Sequence, residues 1–212
     1  SSKTTQTYSS RGTVFAQIKE TISSLISNKI LLDVFLVTLA LNLFGFPYMQ
    51  LVPVIARDVL GGDELLFGFL LSSSALGAMA GSLIIASKKI IHLGLLYLCG
   101  ALLMLIALFA FSFSIFYFVS LALMFIVGLG SSAFATMQVA IALRAVHSEQ
   151  RGRAMGSVAL GIGASPLGML GTGYLADIIG AQYSLALSSG TGIIIMLLLI
   201  LFLPKMRIYS SI

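Results

Sequence analysis

Charge is what this sequence has least of. Only 9% of its 212 residues are Asp, Glu, Lys or Arg, against 58% hydrophobic ones, where a globular domain carries roughly 25% charged residues. That shortage excludes a water-soluble fold. There is one cysteine, Cys99, and it lies inside an apolar run. A lone thiol builds neither a disulfide framework nor a zinc site, so it is read as structural. The net charge of +5 raises nucleic acid as a partner, but no basic face or interleaved aromatic platform exists to bind it, and that partner is excluded. His92 and His147 stand without partner acids or metal-ligating neighbours, whereas a membrane hydrolase needs a serine and a histidine buried at matched depth. The chain is read as neither an enzyme nor a metalloprotein. No span carries the continuous polar stripe of a channel. The polar start holds no cleavable signal peptide, and a chain opening on Ser1 is expected to be trimmed or short of its true start.

What is present is a series of apolar runs of about 20 residues, the length that crosses a bilayer. Six spans are expected, at about Ile30 to Ile55, Leu65 to Ser87, Ile91 to Phe111, Ile115 to Leu143, Ala154 to Ala176 and Tyr183 to Leu203. They make an all-α integral membrane protein, a bundle over 30–204 with a cytoplasmic linker at 1–29 and a tail at 205–212. Within the linker, 13–28 alternates apolar and polar residues at helical spacing, which predicts an amphipathic helix lying on the membrane surface. The third span is almost purely apolar and is expected to face lipid. Ser112 and Ser114 predict a tight turn into the fourth.

Two spans are interrupted. In the first, Gly45-Phe46-Pro47 predicts a kink and a freed carbonyl; Asn42 and Gln50, eight apart, are expected to share a face that lines a cavity. In the fifth, Gly156, Gly161, Gly163, Pro166, Gly168, Gly171 and Gly173 would ruin a soluble helix, at roughly 1 kcal/mol per glycine relative to alanine. In lipid, small residues let helices approach closely, and neighbours re-satisfy what a proline frees. Pro47, Pro166, Gly168, Gly171, Gly173 and Asp177 are therefore expected at packing or hinge positions.

The basic residues settle an orientation. Lys3, Arg11, Lys19 and Lys29, then Lys88 and Lys89, then Arg144, Arg151 and Arg153, then Lys205 and Arg207 fall on one side, leaving Arg57 alone of the twelve on the other. By the positive-inside rule both termini are cytoplasmic. A weak internal repeat is also readable: sliding the second span by 90 residues lays Gly81 on Gly171, Ala86 on Ala176 and Ser87 on Asp177. Paired three-helix units of inverted topology are a common transporter architecture.

Four segments carry a family resemblance. F-A-Q-I-K-E-T-I-S-S-L-I-S-N resembles a central cytoplasmic linker, P-Y-M-Q-L-V-P-V-I-A-R-D-V-L-G-G the outer half of helix seven, H-S-E-Q-R-G-R-A-M-G the loop between helices ten and eleven, and S-P-L-G-M-L-G-T-G-Y-L-A-D-I-I-G the end of helix eleven. Together they resemble helices seven to twelve of a major facilitator superfamily transporter, in its drug- and siderophore-exporter branch. The loop G-S-L-I-I-A-S-K-K departs from the family pattern by losing an acid at Ser87, and Ser165-Pro166 replaces the exporter's glycine-proline.

The resemblance implies one six-helix half of that fold, a 3+3 inverted repeat in the bacterial cytoplasmic membrane. Its partners would be the lipid bilayer, a small organic solute, and a missing N-terminal half or a second copy. It implies secondary active transport by alternating access, as efflux. Asn42, Tyr48, Gln50, Thr136 and Gln138 would line the substrate cavity. Lys88, Lys89, Arg144, Arg151 and Arg153 would form a cytoplasmic gate or bind anionic headgroups, or serve as topology signal alone. Asp33 and Asp177 stand near span ends, so a proton-coupling group is expected in the missing half, with no other cofactor. The competing reading is a non-transporting six-helix scaffold or fragment.

Overall fold

The computed structural model describes Leu25 and residues 27–209, without the side chains of Lys205 and Arg207. The amphipathic segment read at 13–28 falls outside the described residues except for Leu25, Ser27 and Asn28, as do Lys3, Arg11 and Lys19. The chain forms α1 (Lys29–Phe44), α2 (Tyr48–Asp58), α3 (Glu64–Ser87), α4 (Leu93–Ser112), α5 (Tyr117–Arg144), a 3-10 turn (Ser148–Gln150), α6 (Arg151–Ile162), α7 (Ser165–Ile179), α8 (Ala181–Phe202) and α9 (Pro204–Ile208). Six stretches are long and apolar enough to cross a bilayer: α1 with α2, then α3, α4 and α5 singly, the 3-10 turn with α6 and α7, and α8. Among the described residues there is no strand.

Local chemistry sets the ends. Asn28 Oδ1 accepts from the amides of Ile30 and Leu31, capping α1, while its Nδ2 donates to Ala145 O at 2.9 Å just past α5. Asp63 caps α3 by accepting from Leu66 N at 3.0 Å. Gly180, at φ +88°, reverses the chain between α7 and α8, a conformation closed to most side chains. Ser112 bonds back to Phe109 O, and Ser120 Oγ donates to Ser114 Oγ at 2.9 Å, so the turn before α5 is held by serine hydroxyls.

Packing shows how the six spans relate. The fourth span packs on the second and third, while the first packs on the fifth and sixth; the first also meets the fourth, and the third meets the sixth. Exchanging spans one, two and three with four, five and six leaves these pairings unchanged, although the fifth also packs on the sixth, a contact the second and third do not match. That is the 3+3 inverted repeat. α3 and α5 approach closely: a Cβ on Gly77 would run into Phe125 O, and one on Gly128 into Ser74 O. The 90-residue offset does not reproduce this in the fifth span. A Cβ on Gly81 would strike Ser132 Oγ, whereas Gly171 faces open space.

The third span does not behave as its composition led us to expect. Of the apolar stretch in α4, 56% is buried within the bundle, against 17% in α3. Lipid and helix neighbours select the same apolar side chains, so hydropathy cannot separate the two faces. The distinguishing signal is small residues, here Gly100 against Gly130 and Ala133 of α5. Cys99 lies beside this contact but is exposed.

Candidate solute face and its polar node

The first and fifth spans are broken. Pro47 has no amide hydrogen, so the backbone ladder lapses around it, and Ser188 of α8 donates its hydroxyl to Phe44 O at 2.9 Å. In the fifth span α6 ends before Gly163, and Pro166 stands in the first turn of α7. The two breaks are packed together, because Gly168 lies directly against the carbonyls of Asn42 and Leu43. Any larger residue there would separate the spans. A cavity of about 310 Å³ opens beside this contact, lined by Leu43, Phe44, Thr172, Ser188 and Thr191 among others.

Below the first break is a buried polar node. Thr38 donates to Val34 O at 2.7 Å and lies 3.2 Å from the Tyr97 hydroxyl, which donates to Val34 O at 3.0 Å. Gln138 of α5 reaches across, donating from Nε2 to Thr38 Oγ1 at 2.5 Å. Asn42, one turn above, donates from Nδ2 to Thr38 O at 2.9 Å. Phe134 stacks on Tyr97, with ring centroids 5.2 Å apart. Thr38 thus joins the first, third and fourth spans through one side chain.

The expected cavity residues therefore separate. Asn42 and Gln138 meet at the node, both almost wholly buried. Gln50 lies beyond the break and half-buried; its Nε2 donates to Met169 O at 2.6 Å and Thr172 Oγ1 at 2.8 Å, binding α2 to α7. The break means that Asn42 and Gln50 do not share one continuous helix face. Tyr48 is buried, with Ser74 of α3 beside its hydroxyl. Thr136 is exposed on α5. Two residues before Gln138, it points about 200° away around the helix, so those two cannot share a face.

Of the expected packing positions, Gly168 makes the close contact, a Cβ on Gly173 would meet Gln50 Nε2 at an ordinary 3.8 Å, and Pro166 and Asp177 are exposed. Sequence reasoning missed Thr38, Tyr97, Thr172 and Ser188. The signals available were Thr38 one turn before Asn42, and a lone phenol in the otherwise apolar third span, which needs a partner once buried.

Lys88, Lys89, Arg144, Arg151 and Arg153 are all exposed, at one end of the bundle. That end is closed by Asn28 on Ala145, and by Gly94 N donating to Tyr209 O at 3.2 Å. Burial pushes the Tyr209 phenol above its ordinary range, while nearby Arg144 pulls it the other way. The opposite end holds Arg57, paired with Asp58 at 2.6 Å, beside Asp63 and Glu64.

Six apolar spans in a 3+3 inverted repeat, two of them broken at one depth, define an integral membrane protein built as half of a transporter fold. A family model for the Major Facilitator Superfamily matches residues 34–211, and the chain belongs to that superfamily. Among curated proteins no match is found.

Proposed function

We propose that this chain is helices seven to twelve of a secondary active transporter that exports a small organic solute from a bacterial cell by alternating access. The observation that carries the reading is the uneven covering of symmetry-related spans. The second and fifth are mates under the repeat, and 17% and 28% of their apolar stretches are buried; the sixth is as open, at 28%, while its mate, the third, is 56% buried. Exposed Leu76, Met79 and Leu83 on α3, and Leu167, Leu170 and Tyr174 on α7, are then surfaces for the other six-helix half. Rocking one half on the other would open the node first to one side of the membrane and then to the other. The concentration of Lys and Arg at one end supports cytoplasmic termini in the bacterial inner membrane. Those side chains would gate the cytoplasmic mouth or bind anionic headgroups. The spans hold no mid-membrane carboxylate, so proton coupling would fall to the other half.

The test is transport by the full-length protein in everted vesicles. A proton gradient should drive uptake of organic solutes, ethidium first, and Asn42→Ala and Gln50→Ala should reduce it. If no solute in a broad panel moves with the gradient while the protein is folded, the chain belongs to a non-transporting scaffold.

A further inference from the structure

We infer that the solute recognised at this face presents N–H or O–H donors, is neutral or cationic, and is read by two amide oxygens, Asn42 Oδ1 and Gln138 Oε1. The inference rests on the transport reading above and gives it a substrate class. It follows from counting hydrogens. Thr38 Oγ1 and Val34 O lie 2.7 Å apart, a separation two oxygens hold only with a hydrogen between them, and only Thr38 has one to give. That hydroxyl can then only accept from Gln138, so the Gln138 nitrogen faces it. The amide of Asn42 faces Thr38 O, a carbonyl that only accepts, so its nitrogen is fixed as well. Neither amide can flip without setting oxygen against oxygen.

What remains unspent is of one kind. Among the described residues nothing donates to Asn42 Oδ1 or Gln138 Oε1. Yet no buried side-chain oxygen or nitrogen there lacks a partner. Each oxygen therefore keeps a trace of accessible surface, although the rest of each side chain is enclosed. They flank Thr38 and are anchored to it from two spans, so their spacing is set before any solute arrives. The described Lys and Arg residues stand at the span ends, leaving no positive group beside these oxygens. An anionic group would meet two acceptors and be repelled. An apolar molecule would leave both unpaired, which is how a hydrogen-bonding site rejects analogues that lack the donor. A primary amine, an amidine, a guanidine or a vicinal hydroxyl pair satisfies them.

The experiment uses the full-length protein with Cys99→Ser and a single reporter, Ala135→Cys. Ala135 is exposed and lies three residues before Gln138, so the two are neighbours on α5. A membrane-impermeant maleimide labels the reporter. Two probes of equal charge and tail are compared, octylguanidinium with N–H donors and octyltrimethylammonium with none. Octylguanidinium should slow labelling at about tenfold lower concentration, the loss expected when one buried hydrogen bond goes unmade. Gln138→Met, close in volume, and Asn42→Leu should each shrink that preference, measured against each variant's own labelling in the absence of probe. Equal protection by both probes, or a preference that survives both substitutions, overturns the donor class and leaves the transport reading standing. If Ala135→Cys never labels, this face of α5 is closed to water, and this inference falls with the transport reading at this face.

Discussion

Thr38 is a single residue on which three spans depend. Its hydroxyl receives Gln138 from α5 and lies beside Tyr97 from α4, while its backbone carbonyl receives Asn42. Thr38→Val keeps the branched shape and removes only the hydroxyl, leaving the Gln138 amide without an acceptor. Interhelical hydrogen bonds in membranes are worth about 0.6 to 2 kcal/mol, so the variant should lose stability by about that amount in detergent unfolding, and Thr38→Ser should recover most of it. Equal midpoints for Thr38→Val and wild type would mean that the node does not hold the bundle together. Polar residues in apolar spans marked Asn42 and Gln138 in the sequence, but the acceptor between them was hidden. A threonine inside a helix ordinarily bonds its own preceding turn, as Thr38 also does to Val34. The separation of Thr136 from Gln138, by contrast, was already fixed by helical periodicity.

At the scale of elements, the positions and lengths of the six spans could be read from hydropathy because a bilayer imposes one length on all of them. The burial of α4 could not, since an apolar side chain is equally content against lipid or protein. Close helix contact is a matter of what is absent from the backbone. Gly77 and Gly128 bring α3 and α5 together by having no side chain. Gly128→Leu should therefore destabilise the bundle by about 1 to 3 kcal/mol or more through overpacking. Gly171→Leu, at an open position, should leave the unfolding midpoint of the isolated chain nearly unchanged. The broken spans form a second pair of elements, with Gln50 joining the outer pieces α2 and α7 through Met169 and Thr172. A double-mutant cycle on Gln50→Leu and Thr172→Val should show about 0.6 kcal/mol of coupling, the average for such contacts in membranes. Purely additive effects would show that α2 and α7 are held together by packing alone.

For the whole molecule, the inverted repeat and the charge distribution make independent statements about direction. The repeat puts three spans each way through the bilayer, and by itself is indifferent to which end is cytoplasmic. Charge offers a tie-breaker for the proposed orientation: Lys88, Lys89, Arg144, Arg151 and Arg153 share an end with Asn28 and Tyr209, and Arg57 stands with Asp58, Asp63 and Glu64 at the other. Excess Lys and Arg in short loops is retained on the cytoplasmic side. In a Cys99→Ser background of the full-length protein, Arg57→Cys should label in intact cells with an impermeant maleimide, and Lys89→Cys only after the membrane is opened. Arg57 is a suitable reporter because it is exposed and its ion pair with Asp58 is local, so losing it should cost little. The reverse pattern would place the termini outside, and the basic end would then face the outer leaflet, where it could gate no cytoplasmic mouth. Labelling of both from outside would instead mean that Glu64–Ser87 fails to span the membrane, and the symmetry that relates it to the fifth span would have no transport meaning.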